Sequence, residues 1–140
     1  MSSTSAQLNE ADLIGTWRLN ACEGRADDGA VLLLYSDNPE GMLVYNPDGS
    51  MMVILMKPDR PLFESPDLLK GTDEEIRTAL EGFNAYCGRF VLDPEAGTVT
   101  HHLEQALFPN WIATQHVRYV SLEKGQLSLS APPILVGGIE

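Results

Sequence analysis

The chain has 140 residues, 44% of them hydrophobic and 21% charged, which suits one globular domain able to bury a core without metal or disulfide staples. Twenty Asp and Glu oppose nine Lys and Arg, a formal charge of -11, so the electrostatic footprint of a nucleic-acid or anionic-membrane binder is missing. No run reaches the ~18 apolar residues of a membrane span, and the polar start lacks the basic and apolar regions of a signal peptide. Cys22 and Cys87 form no CxxC or Cys/His metal spacing. The expectation is a cytoplasmic protein with two free thiols, a Cys22–Cys87 bridge being the alternative.

Residues 1–12 read as a flexible leader before a single domain over 13–140, with Asn9 or Asp12 able to cap a short helical turn. Trp17-Arg18-Leu19-Asn20-Ala21 alternates apolar and polar residues, the period of a strand. A polar turn over Glu23–Gly29, an apolar run over Ala30–Tyr35 and a loop over Ser36–Gly41 follow. The clearest hairpin joins Met42–Tyr45 to Ser50–Met56 through Asn46-Pro47-Asp48-Gly49. Its second arm is apolar on both faces, as a barrel strand is when one face lines a cavity and the other is covered. Residues 57–72, with three prolines, read as loop. Asp73 to Ala85 reads as a helix capped by Thr72, whose stripe of Ile76, Ala79, Leu80 and Phe83 packs on the barrel. Strands return at Tyr86–Leu92, Thr98–Gln105, Thr114–Leu122 and Gln126–Ser130, with a further candidate at Ile134–Val136. The pattern is all-β: an antiparallel barrel of about 8–9 strands with one α-helix packed on it or plugging it.

Folding residues 98–105 against 114–121 around Phe108-Pro109-Asn110-Trp111 sets His101 opposite Arg118 and Leu103 opposite His116. One face then carries Val99, His101, Leu103, His116, Arg118 and Val120, and the other Thr100, His102, Glu104, Val117 and Tyr119; a one-residue slip mixes the two sets. The first set is assigned to the interior. There Arg118 can pair with an acidic or enolate oxygen, and His101 can move protons near neutral pH. One of Tyr86 and Arg89 joins them, parity not choosing between the two. The candidate catalytic residues are therefore His101, Arg118 and Tyr86. The candidate ligand-binding residues are Trp17, Tyr45, Met52, Ile54, Arg89, Phe90, Leu103, His116 and Trp111.

Blander readings stand beside these. Arg118 can stack on Trp17, His101 can be a satisfied structural histidine, and the methionines can be core. His102 and Glu104 can form a hydrogen-bonded pair or half a metal site, though no third ligand has a recognisable spacing, and no metal is assigned. No Gly-x-Ser-x-Gly elbow, phosphate loop or dinucleotide fingerprint is present, and no cofactor is expected.

Gly15-Thr16-Trp17 resembles the Gly-x-Trp signature of lipocalins and other calycins. The blocks Asn38–Gly49, Tyr86-Cys87-Gly88-Arg89-Phe90, Gly97–Glu104 and Phe108-Pro109-Asn110-Trp111 resemble those of the lipocalin-like domain family of small bacterial and fungal proteins. Gln115-x-Val117-Arg118-Tyr119 and Leu127-Ser128-Leu129-Ser130 continue the likeness over residues 13–133. It departs at Ile134–Glu140, where the family tends to carry aromatic and charged residues. The resemblance implies a calycin-type barrel with a ligand cavity, and that some relatives act as cyclases in natural-product pathways.

Three functions follow. The first is a cofactor-free enzyme for cyclisation, isomerisation or proton transfer on an apolar substrate, working largely by orientation. The second is a carrier or sensor of a lipophilic ligand with Arg118 as its anchor. The third is an interaction module with a filled barrel. The number of convergent polar groups favours the enzyme over the carrier. The expected partner is a small apolar or amphipathic molecule, with no nucleic acid and no membrane, and a short last strand leaves an edge open to a homodimer.

Overall fold

Inward residues drawn from every strand of the main sheet meet in one core, and the elements are best followed from the chain's start. The computed structural model describes residues 8–25, 31–33 and 35–131; leader residues 1–7 and the expected strand Ile134–Val136 lie outside these. Helix α1 (Glu10–Leu13) opens on a capping box in which Asn9 and Asp12 exchange side-chain to backbone hydrogen bonds of 3.3 and 2.9 Å. This single turn drops Leu13 into the core with no exposed surface. The indole Nε1 of Trp17, on β1 (Gly15–Arg18), donates to the Leu13 carbonyl at 2.8 Å and ties the helix to the sheet.

Strands β2 (Glu23–Arg25) and β3 (Val31–Leu33) form a separate antiparallel pair. The remaining strands are β4 (Glu40–Tyr45), β5 (Ser50–Met56), β6 (Phe83–Asp93), β7 (Thr98–Ala106), β8 (Gln115–Glu123) and β9 (Gln126–Ser130). With β1 they make one seven-stranded antiparallel sheet in the order β1-β4-β5-β6-β7-β8-β9. The sheet curls into a nearly closed barrel. Trp17 near one edge and Leu127 and Leu129 at the other pack on the same buried cluster of Leu13, Tyr45, Met51, Val53, Phe90, Val99 and Val120.

The β4–β5 hairpin turns where the sequence places it. Asp48 Oδ1 accepts from the Ser50 amide at 2.9 Å and its hydroxyl at 2.6 Å, and Gly49 takes φ +91°, a conformation that favours glycine. These Ser50 bonds hold the Asp48 carboxyl below the ordinary carboxylate range. On β5, Met51 and Val53 point into the core, whereas Met52 and Ile54 are 50% and 44% exposed. The outer face of this strand is thus left open to solvent at those two residues.

Helix α2 (Asp73–Glu81) is shorter than the periodicity suggests. Thr72 and Glu75 form its capping box, and Gly82 ends it. Phe83 then pairs with Met56 across β5 and β6, so it belongs to a strand and not to the helical stripe. The remaining stripe lies outside the barrel beside β6 and is only half covered, Ile76 being 50% and Leu80 54% exposed. Arg60 bridges this region to the sheet by donating to the Ala79 carbonyl at 3.2 Å and lying 5.0 Å over the Phe83 ring.

Candidate functional site

Strand parity sets the site. In β7 and β8, Val99 pairs with Arg118 and His101 with His116, two residues away from the register expected from the loop centre. Because side chains alternate with period two, a two-residue shift keeps every residue on its face. Val99, His101, Leu103, His116, Arg118 and Val120 therefore share the inward side, with Val99, His101, Leu103 and Val120 buried and His116 and Arg118 half-buried. On β6 a bulge falls between Cys87 and Gly88, and the buried Gly88 lies against β7 so closely that a Cβ would collide with the His102 carbonyl. Tyr86 and Phe90 point inward on this strand. Arg89 points outward, where its Nη2 donates to the Asp48 carbonyl at 2.8 Å over the β4–β5 turn.

His101 is 1% exposed and is the centre of the arrangement. Its Nε2 is 2.6 Å from the Tyr45 hydroxyl and its Nδ1 is 2.7 Å from the Tyr86 hydroxyl. Burial, reinforced by the charges of Arg118, His116 and His102, pushes its pKa down to about 3, so the ring is neutral at neutral pH. Burial also raises Tyr45, and pushes Tyr86 up to about 12 against the opposing pull of Arg118. Both phenols therefore keep their protons.

The other polar groups gather toward the turn between β7 and β8. Arg118 Nη2 donates to His116 Nδ1 at 3.2 Å, and Nη1 donates to its neighbour's carbonyl, Val117 O, at 3.0 Å. Burial and then the Arg118 charge lower the His116 pKa. The 3-10 turn Pro109–Trp111 brings Trp111 edge-on to His116 at 4.8 Å and to Tyr86 at 6.3 Å between centroids. Phe108, 46% exposed, stands against Trp111 as a rim. Leu13, Tyr45, Met51 and Phe90 belong to the buried core cluster. Tyr86, Trp111, His116 and Arg118 are each half-buried. A cleft of about 170 Å³ is lined by other residues, among them Leu62, Phe63 and Thr78.

The candidate residues thus separate by face. His101, Arg118, Tyr86, Tyr45, Phe90, Leu103, His116 and Trp111 gather on the interior or its rim, and Trp17 packs on the core. Met52, Ile54 and Arg89 lie on the outer surface, a correction to the lining expected from sequence. The uninterrupted apolar run Met51–Met56 carries no alternation from which the inward parity could be taken. Arg118 engages His116 rather than stacking on Trp17. Cys22 and Cys87 are free, and Cys87 Sγ faces Gln105 Oε1 at 3.2 Å.

A lipocalin-like domain family model matches residues 14–136. The chain belongs to this lipocalin-like domain family. One curated relative is the "4'-hydroxy-3'-methoxypropiophenone carrier protein ppsC" of Aspergillus oryzae, 37% identical over 97 residues that cover 64% of this chain and 87% of the relative. No solved structure matches the chain. Among the described residues, no helix of this lipocalin-like barrel is long and apolar enough to cross a membrane.

Proposed function

We propose that this protein is a carrier that holds a small, largely apolar aromatic molecule beside Tyr86, Trp111, His116 and Arg118. The observation that carries the reading is the cluster of half-buried Tyr86, Trp111, His116 and Arg118, in contact with one another and, through Tyr86, with the apolar core. Such a pocket, mostly aromatic with a few placed polar groups, is what small-molecule sites consist of. The curated relative supports the same class, since it is named for carrying a compound whose name specifies an aryl ketone with ring hydroxyl and methoxy groups. Two free cysteines fit a reducing compartment, and we place the protein in the cytoplasm.

A second reading has its own support. The Tyr45–His101–Tyr86 chain ends against Trp111 and His116, where it can relay a proton during a cofactor-free isomerisation or cyclisation of the same molecule. The test is titration with aryl ketones and related aromatics, followed by quenching of Trp111 fluorescence, with Trp111→Phe as the control for signal from Trp17. Saturable binding with the compound recovered unchanged supports the carrier. Conversion that is lost in Tyr86→Phe supports the enzyme, and no binding to any aromatic overturns both.

A further inference from the structure

The hydrogen bonds of the site have a direction that follows from counting protons. A neutral imidazole has one N–H and one bare nitrogen, and a tyrosine hydroxyl has one proton to give. Tyr45 has no exposed surface, and its hydroxyl meets His101 Nε2 as its one side-chain partner among the described residues. Were Nε2 protonated, the Tyr45 proton would be left buried without an acceptor, a penalised arrangement that native interiors avoid. Tyr45 therefore donates to Nε2, and the ring proton is on Nδ1. Nδ1 then donates to Tyr86 Oη, so the Tyr86 proton cannot return to His101 and is free to point elsewhere.

The same count fixes the neighbours. A guanidinium only donates, so His116 Nδ1 must accept from Arg118 and its own proton is on Nε2. The partners of Arg118 among the described residues, His116 and the Val117 carbonyl, use two of its five N–H groups. Tyr86, His116 and Arg118 therefore each keep a polar hydrogen to give, and the three side chains adjoin, the Tyr86 and His116 rings lying 5.7 Å apart between centroids and His116 accepting from Arg118.

We infer that Tyr45 and His101 form a one-directional chain that turns the Tyr86 hydroxyl into a fixed donor, making Tyr86, His116 and Arg118 together a donor-rich site for an acceptor oxygen, either an aryl carbonyl or an ionised phenol. A ligand whose polar group must itself donate, such as an alcohol held through its proton, finds as acceptor only the second lone pair of Tyr86 Oη, which already accepts from His101 Nδ1. This inference rests on the proposed binding function and names the chemistry of the bound group. Tyr86 touches the ligand; Tyr45 and His101 are positioning residues that act through it.

The test uses two probes of nearly equal shape, propiophenone and propylbenzene, with the full-length protein. The ketone should bind about tenfold tighter than the hydrocarbon, the gain of one hydrogen bond in a partly dry site. Its carbonyl stretch should move to lower wavenumber on binding. Tyr86→Phe should remove most of the preference and of the band shift. Tyr45→Phe should also reduce the band shift, although Tyr45 does not touch the ligand, because His101 Nδ1 is then free to become the acceptor of the Tyr86 proton. Nitrogen-15 shifts of the unliganded protein should report a protonated Nδ1 and a bare Nε2 on His101. The opposite tautomer, equal binding of the two probes, or an unchanged carbonyl band in Tyr45→Phe overturns the inference while leaving the carrier function standing. Failure of both probes to bind overturns the carrier function and the inference with it.

Discussion

A buried histidine held neutral makes stability depend on pH in a way that a single substitution isolates. The folded-state pKa of His101 is pushed down to about 3 from an ordinary value of 6.5. The unfolded chain therefore takes up this proton first as pH falls, so the stabilisation is fully present above 6.5 and is lost progressively toward 3. Each pH unit within that window removes about 1.4 kcal/mol. Between pH 7 and pH 5 the loss integrates to about 2 kcal/mol, a large share of the ~5–15 kcal/mol that holds a domain folded. That interval is also well chosen because exposed carboxylates remain mostly ionised across it. Urea denaturation at the two pH values should be compared between the wild type and His101→Gln. The glutamine side chain keeps a donor and an acceptor for the two tyrosines but does not titrate. His102 and His116 are the same in both proteins, so what they contribute is common to wild type and variant. The wild type should lose about 2 kcal/mol more than the variant over this interval. Equal losses would refute the reasoning, since His101 would then take up its proton as readily folded as unfolded.

Three other substitutions test the packing. Met51→Ala, at a position 1% exposed, should cost about 2–5 kcal/mol, whereas Met52→Ala beside it, 50% exposed, should stay within about 0.5 kcal/mol in the same denaturation assay. Gly88→Ala forces a Cβ onto the His102 carbonyl at the bulge and should lower stability by about 1–3 kcal/mol, seen as a reduced thermal midpoint. Thr72→Ala removes the cap that accepts from Glu75 N at 3.1 Å and should weaken α2 by about 0.5–2 kcal/mol, measured as faster amide exchange within Asp73–Glu81.

The barrel was legible because its turns carry strong local chemistry and its later strands alternate. Asn46-Pro47-Asp48-Gly49 and the caps at Asn9 and Thr72 lie where residue type alone puts them. The inward face of β7 and β8 was legible for a subtler reason: the register differs by two residues, an even number, and face membership depends on parity alone. Where alternation fails, so does the reading. Met51–Met56 is apolar throughout, so its pattern does not tell that Met52 and Ile54 face outward, as the structure turns them. The end of α2 is not legible because Phe83 continues the helical stripe in sequence but is claimed by the ladder with Met56. The link between Tyr45 and His101 spans 56 residues and joins two strands that are not neighbours in the sheet. No spacing rule reaches across the curl of a barrel; the available signal was that both residues fall on inward parity.

The state of His101 also bears on the choice between holding a ligand and transforming it. To act as a base the ring must gain a proton, yet its bare nitrogen already accepts from Tyr45, and burial together with the charge of Arg118 opposes an imidazolium at that position. What the arrangement offers without any protonation change is a set of adjoining fixed donors. Fixed donors bind a carbonyl in its ground state, and binding that does not strengthen toward a transition state gives affinity without rate. A carrier requires that kind of binding: an oxygen held by a preset hydroxyl, an aromatic body laid against Trp111, and no group poised to take a proton from it. Proton-transfer chemistry would instead need a second group of intermediate pKa beside the same oxygen. The nearest histidine, His116, is lowered by the same neighbour and has its Nδ1 lone pair already committed to Arg118.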